Sequence, residues 1–257
     1  MQALHHHTPF DLHYCLVWLG LHLLMLHNLN PKYVLSINGS LWSLALEFQL
    51  YILFPVLVEA YRRFNARGVL WTVLVLCSAY RLFLVRGHFL PDDAYGYVLA
   101  YSVFGRCFEF ALGMFAALLV ARQHAEKKSL LRPADFVVAA GVVGAAVLDG
   151  RLREFQTLTD CAWGLLFAAL LLAGSRPKSF VHRALSQKYL VHLGIFSYSV
   201  YLIHLPLVLL MGQYAARHSN SFQIVFMLFT ASLMVGLGYV FHLLFERPFM
   251  DMPSRRA

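Results

Sequence analysis

The chain has 257 residues, 60% of them hydrophobic and only 13% charged, with a mean hydropathy of +0.62. That balance excludes a water-soluble globular domain and places the protein among membrane lipids. The net charge of +8 is scattered in short clusters between apolar runs rather than gathered in one stripe, so no nucleic-acid partner is expected.

A hydrocarbon core about 30 Å thick takes roughly 20 helical residues to cross. Apolar runs of about that length, bounded by polar clusters, predict eight spans at residues 12–29, 41–60, 69–85, 95–120, 134–148, 158–173, 190–212 and 222–245. The fold class is therefore all-α: a polytopic transmembrane helix bundle forming a single integral-membrane domain over residues 1–257. The fifth and sixth runs are short and carry Asp135 and Asp160 near their starts, so a tilted hairpin that does not fully cross is the alternative there.

Residues 1–11 contain no Lys or Arg and lack the basic start of a secretory signal. His5, His6 and His7 are adjacent and cannot all face one ion, so no metal is expected. Cys15, Cys77, Cys107 and Cys161 lie in or against apolar runs without CxxC spacing, which points to packing residues rather than disulfides or zinc ligands. Cytoplasmic loops retain Lys and Arg. The loops after the second, fourth and sixth spans, with the C-terminal tail, hold fourteen of the 21 basic residues, against five on the other side. Both termini are thus predicted to be cytoplasmic, with Asn38, Asp92, Glu154 and Ser219 facing outward.

Ionisable groups at bilayer depth cost a few kcal/mol each, face the bundle interior, and often mark a reaction or transport path. In the second span Ser43, Glu47 and Tyr51 repeat every four residues, a polar stripe that runs on to Pro55. In GRCFEFALGM (105–114) Arg106 and Glu109 are three apart and suit a mutual ion pair. Gly105, Glu109 and Gly113 recur every four residues, which would let a neighbouring helix approach closely. In LGIFSYSVYLIHLPL (193–207) Ser197, Tyr201 and His204 share a face, and a histidine can take and return a proton near neutral pH. Each group fits a structural hydrogen bond as well as a chemical role. Glu246 and Arg247 end the last span before Pro248.

These segments resemble the membrane-bound acyltransferase family 3, which O-acetylates bacterial surface polysaccharides. SLWSLALEFQLYILFPVL is similar to the family's WSL-x-x-E-x-Q-x-Y-x-x-x-P signature through Trp42, Glu47, Gln49, Tyr51 and Pro55. GRCFEFALGM, IFSYSVYLIHLPL and FERPF resemble, in order, its R-x-x-E-F-x-x-G-M, ISYS-x-YL-x-H-x-P and E-R-P-F runs. The resemblance implies transfer of an acyl group, commonly acetyl, from cytoplasmic acyl-CoA as co-substrate to a hydroxyl of a saccharide or lipid-linked glycan, with no bound cofactor. On this reading Glu47 faces a polar interior cavity that Arg106, Glu109, Tyr201 and His204 help to line. Glu47 and His204 are the catalytic candidates, and Trp42, Ser43, Gln49, Tyr51 and Ser197 are further candidates for the cavity or for substrate binding. The bacterial inner membrane is the location it implies.

The eight runs resemble the family's third to tenth helices. The family's opening helix, with its basic residue and activating histidine, and the serine-glycine-phenylalanine run that follows it have no counterpart, so a truncated member is expected. The alternatives are a catalytically inactive relic or partner-dependent membrane subunit, and a transporter whose interior charges relay protons or bind substrate. The H-x-x-x-x-D spacing of another acyltransferase chemistry occurs at His6–Asp11 and His88–Asp93, as chance allows for so short a pattern.

Overall fold

The computed structural model describes residues 12–87, 94–126, 144, 156–177, 179–215, 218 and 220–250, and among them every regular element is helical. These are α1 (Leu12–Leu23), α2 (Leu41–Arg63), α3 (Ala66–Arg86), α4 (Ala94–Ala100), α5 (Val103–Glu126), α6 (Gln156–Gly174), α7 (Phe180–Leu185), α8 (Lys188–Ile195), α9 (Ser197–Ala215), α10 (Asn220–Phe241) and α11 (Arg247–Met250). Two compact units are present, one made of residues 1–36 and 42–172, the other of 37–41 and 173–257.

Among the described residues four helices are long and apolar enough to cross a membrane, Leu41–Arg63, Ala66–Arg86, Tyr95–Arg122 and Phe222–Met250, and the bent pair α8–α9 makes a fifth if it is one broken span. The described residues thus account for four or five of the eight expected spans. The first run is helical only to Leu23, because Met25 takes a left-handed backbone conformation (φ 55°) and the chain turns through a short 3₁₀ segment at His27–Leu29. The sixth run offers Asp160–Gly174, too short by itself. The fifth run lies outside the described residues apart from helical Gly144, and both termini lie outside them too.

In the first unit, α3, α5 and α6 share an apolar core of Cys77, Phe108, Leu112, Ala116 and Ala168, flanked by Cys107 and Cys161. Three of the four cysteines are thus packing residues. The glycines of the GRCFEFALGM run do not provide the expected close approach: Gly113 has nothing near it, and a Cβ on Gly105 would strike the carbonyl of Ala100, in its own chain turn. Helices approach closely at Gly164 instead, where a Cβ would sit 3.3 Å from Leu112 Cδ2 and 3.8 Å from Glu109 Cγ.

In the second unit, α8 and α9 meet at 68° around Phe196. Phe196 is buried against Tyr239, with ring centroids 5.3 Å apart, and packs beside His192 and His242. Gly238 lets α9 and α10 touch, since a Cβ there would lie 3.0 Å from Val200 Cα. Pro206 inside α9 has no N–H, which leaves the carbonyl of Leu202 without its helical donor. Asn38 Nδ2 donates to that carbonyl at 2.6 Å, while Asn38 Oδ1 accepts from Ser40 N at 3.0 Å. Segment 37–41 is pinned to α9 in this way although Ile37, β-branched, sits at φ 60°.

Asn38→Ala therefore orphans a carbonyl and is expected to cost about 1–3 kcal/mol. Combining it with Pro206→Ala, which restores the missing N–H, should recover most of that loss. Thermal unfolding of the four members of this cycle in detergent checks the coupling; strictly additive losses would refute it.

Candidate functional site

The site of the first unit grows from one electrostatic requirement. A guanidinium or carboxylate in an apolar span needs a partner. Arg106 and Glu109 do pair, with Nη1 3.2 Å from Oε1, and two further residues complete the group. Arg81 of α3 bonds Glu109 Oε1 at 2.9 Å and Asp160 Oδ2 at 2.9 Å, and Arg106 Nη1 lies 3.2 Å from Asp160 Oδ1. Arg81 Nε also donates to the carbonyl of Gly105 at 2.9 Å. Two positive and two negative groups from three helices thus close a neutral ring.

An aromatic wall continues from this ring. The Arg106 guanidinium lies 4.6 Å from the Tyr101 ring centroid, Tyr101 packs edge-on to Trp42 at 5.0 Å, and Tyr97 lies 4.6 Å from Tyr101. Trp42 and Arg106 are linked through Tyr101, a residue that no spacing in the sequence singles out. On another side the ring borders a cavity of about 360 Å³ lined by Arg106, Glu109, Asp160, Trp163, Gly164 and Phe167, among others. The second carboxylate oxygen of Glu109, Oε2, is buried with no hydrogen-bond partner among the described residues.

The remaining expected residues fall into different surroundings. Glu47 is exposed on α2 and accepts a short hydrogen bond from Tyr51, one turn further on, so the stripe forms as its spacing requires. Ser43 lies a turn earlier on the same helix. Gln49 serves the fold, because its Nε2 donates to Met25 O at 3.0 Å and to Asn28 Oδ1 at 2.7 Å, which holds the turn after α1.

Ser197, Tyr201 and His204 belong to the second unit. Ser197 is exposed, and its hydroxyl donates to Gly194 O at 2.9 Å across the α8–α9 bend. Tyr201 OH donates to Ser40 O at 2.9 Å. His204 Nδ1 lies 2.5 Å from the Tyr201 carbonyl, which requires the Nδ1–H tautomer and leaves Nε2 as the basic nitrogen.

The other serine of the FSYS run makes a contact that sequence reasoning missed. Ser199, fully buried, donates to Glu246 Oε2 at 2.5 Å, and the same oxygen takes a bond from His242 Nδ1 at 2.8 Å. Glu246 ends a π-helical turn, His242–Glu246, that aims its carboxylate back at α9. The acid sits between serine and histidine, so this is a clasp between helices and not a nucleophile activated by a base. The period of the sequence could have found it, since Ser199 and Phe196 share the buried side of the bend.

Among the described residues no group of His, Cys, Asp and Glu is arranged to hold a metal ion. Removing one partner of the four-charge ring strands the others. Arg81→Ala is expected to cost about 3–5 kcal/mol, and Arg81→Ala with Asp160→Ala together less than the sum of the two single changes. A thermal-shift cycle in detergent checks this, and simple additivity would refute the ring.

The family model described as an acyltransferase domain matches residues 3–243. O-acetyltransferase OatA of Staphylococcus aureus is 26% identical over 185 residues, covering 68% of this chain and 30% of its own length. YrhL of Bacillus subtilis, whose name marks it provisionally as a peptidoglycan O-acetyltransferase, is 30% identical over 184 residues, 66% of this chain and 28% of its own. The chain spans about three-tenths of the length of these curated relatives. No solved structure matches significantly. With the family model covering nearly all of its length, the chain belongs to the acyltransferase 3 family.

Proposed function

We propose that the chain moves an acyl group, acetyl by preference, from cytoplasmic acyl-CoA to a hydroxyl of a cell-surface saccharide or lipid-linked glycan. The observation that carries this reading is the Glu109 carboxylate: one oxygen is held by two arginines, while the other is buried and unpartnered. The side chain borders a cavity walled by Trp163 and Phe167. A buried acceptor beside stacked aromatic faces suits a polyhydroxylated ring, whose hydroxyls donate and whose C–H faces pack on the rings. Both relatives' names support O-acetyl transfer, the name of the Bacillus subtilis relative supports a saccharide acceptor, and the apolar helices support a membrane location.

In the transfer the acceptor oxygen attacks the thioester carbonyl, a C–O bond forms, the C–S bond breaks, and the hydroxyl proton ends on the departing thiolate. His204 Nε2 is assigned the proton, because Nδ1–H is committed to the Tyr201 carbonyl. Within the first unit Glu47, exposed and polarised by Tyr51, is assigned as a second catalytic candidate. Glu47 and His204 lie in different compact units, and each assignment rests on its own surroundings.

The topology that goes with this function is the eight-run bundle of the bacterial inner membrane with both termini cytoplasmic, supported by the fourteen basic residues on one side.

Acetate released by base from the host's surface glycan, at matched expression, provides the test. Glu47→Gln and His204→Gln are each expected to lower it about 100-fold or more. Unchanged acetylation in both variants would overturn the assignments. Solute accumulation by vesicles lacking any acyl donor, abolished by the same changes, would instead establish a transporter.

A further inference from the structure

The first unit carries a second binding feature at the opposite end of α3 and α5 from the four-charge ring. The α2–α3 turn and the last turns of α5 enclose a cavity of about 560 Å³ lined by Tyr61, Phe64, Asn65, Arg67, Phe115 and Arg122, among others. Arg67 and Arg122 are exposed, come from different helices and have no acidic partner among the described residues. Nearby Arg62 and Arg63, by contrast, share Glu59. The cavity also sits at the N-terminus of α3, whose partial positive charge adds to that of the two guanidiniums.

A second, apolar cavity of about 350 Å³ adjoins it, sharing Tyr61 and Leu118 and extending past Val58, Met114 and Ala117 to Phe54. It exists because α2 meets α5 through long side chains: Tyr61 OH donates to Ala111 O at 2.9 Å, and Phe54 stands edge-on to Phe110 at 6.3 Å. From Phe54 to Tyr61 the groove runs seven residues along α2, about 10 Å at 1.5 Å per residue. Phe54 and Leu118 on its walls are exposed, so the groove opens sideways to the lipid-facing surface of two spans.

We propose that these adjoining cavities bind one anionic phospholipid, its phosphate between Arg67 and Arg122 and one acyl chain along the α2–α5 groove. Charge complementarity selects the head group, because two arginines at the ends of spans, without an acidic partner among the described residues, sit where lipid phosphates lie. The sideways opening selects a lipid, since an apolar slot at hydrocarbon depth is filled by a chain that arrives within the bilayer. Neither cavity includes a residue assigned to acyl transfer, so the proposal stands apart from that reading.

The purified chain, delipidated in neutral detergent, is titrated with dioleoylphosphatidylglycerol or dioleoylphosphatidylcholine and followed by native mass spectrometry and thermal shift. One phosphatidylglycerol is expected to be retained per chain and to raise the melting temperature, while phosphatidylcholine does neither. Arg67→Gln with Arg122→Gln should weaken phosphatidylglycerol retention about 30-fold, from two lost basic contacts. Ala117→Phe, which fills the groove without touching charge, should weaken it as well, and this second variant keeps the test valid if the double variant misfolds. Equal retention of both lipids, or phosphatidylglycerol binding unaffected by these changes, overturns the proposal. Stabilisation by free coenzyme A that needs both arginines, with none by phosphatidylglycerol, also overturns it and assigns the pocket to a soluble phosphate compound.

Discussion

Everything in the first unit depends on neutralising charge in a medium that cannot solvate it. Arg81, Arg106, Glu109 and Asp160 would each be costly alone in an apolar span. Gathered from α3, α5 and α6 they cancel, with every contact between 2.9 and 3.2 Å. The ring therefore fixes the rotation of three helices about their axes, which an apolar interface between Leu, Ala and Cys side chains specifies poorly. It also leaves one carboxylate oxygen, Glu109 Oε2, buried and without a partner among the described residues.

The same rule, applied to backbone groups, accounts for the second unit. A proline in a span exposes a carbonyl that neither lipid nor its own helix can satisfy. Asn38 supplies the donor for Leu202, and this bond anchors a segment far away in sequence onto α9. Gln49 does similar work on the Met25 carbonyl, in the turn where α1 stops. The Glu246 clasp joins two buried side chains, Ser199 and His242, through one oxygen, and the π-helical turn is the local distortion that lets it reach. Gln49 and Glu246, both in segments that resemble the family's motifs, thus satisfy polar groups in an apolar solvent.

Along α3 and α5 the first unit is polar at both ends for different reasons. One end carries a balanced ring beside aromatic faces; the other carries two arginines above an apolar slot, with no acidic partner among the described residues.

Composition, run length and residue spacing by themselves determined the class of this protein. Sixty per cent apolar content dictates helices in lipid, and spacings of three and four place Arg106 beside Glu109 and Tyr51 beside Glu47 without any fold. Those are contacts within one helix, where geometry follows from period alone. Contacts between helices were out of reach. That Arg81 and Asp160 complete the ring, that Gly164 and not Gly113 is the close approach, and that Ser199 and not Ser197 is the clasped serine depend on how helices rotate and where they bend. Hydropathy also counted runs rather than helices. It merged α8 with α9 across a 68° bend, and carried α1 through a turn held by side-chain amides, because an apolar residue scores alike whether its backbone is straight or broken. Only packing decides which carbonyls find donors elsewhere, and therefore where a helix stops.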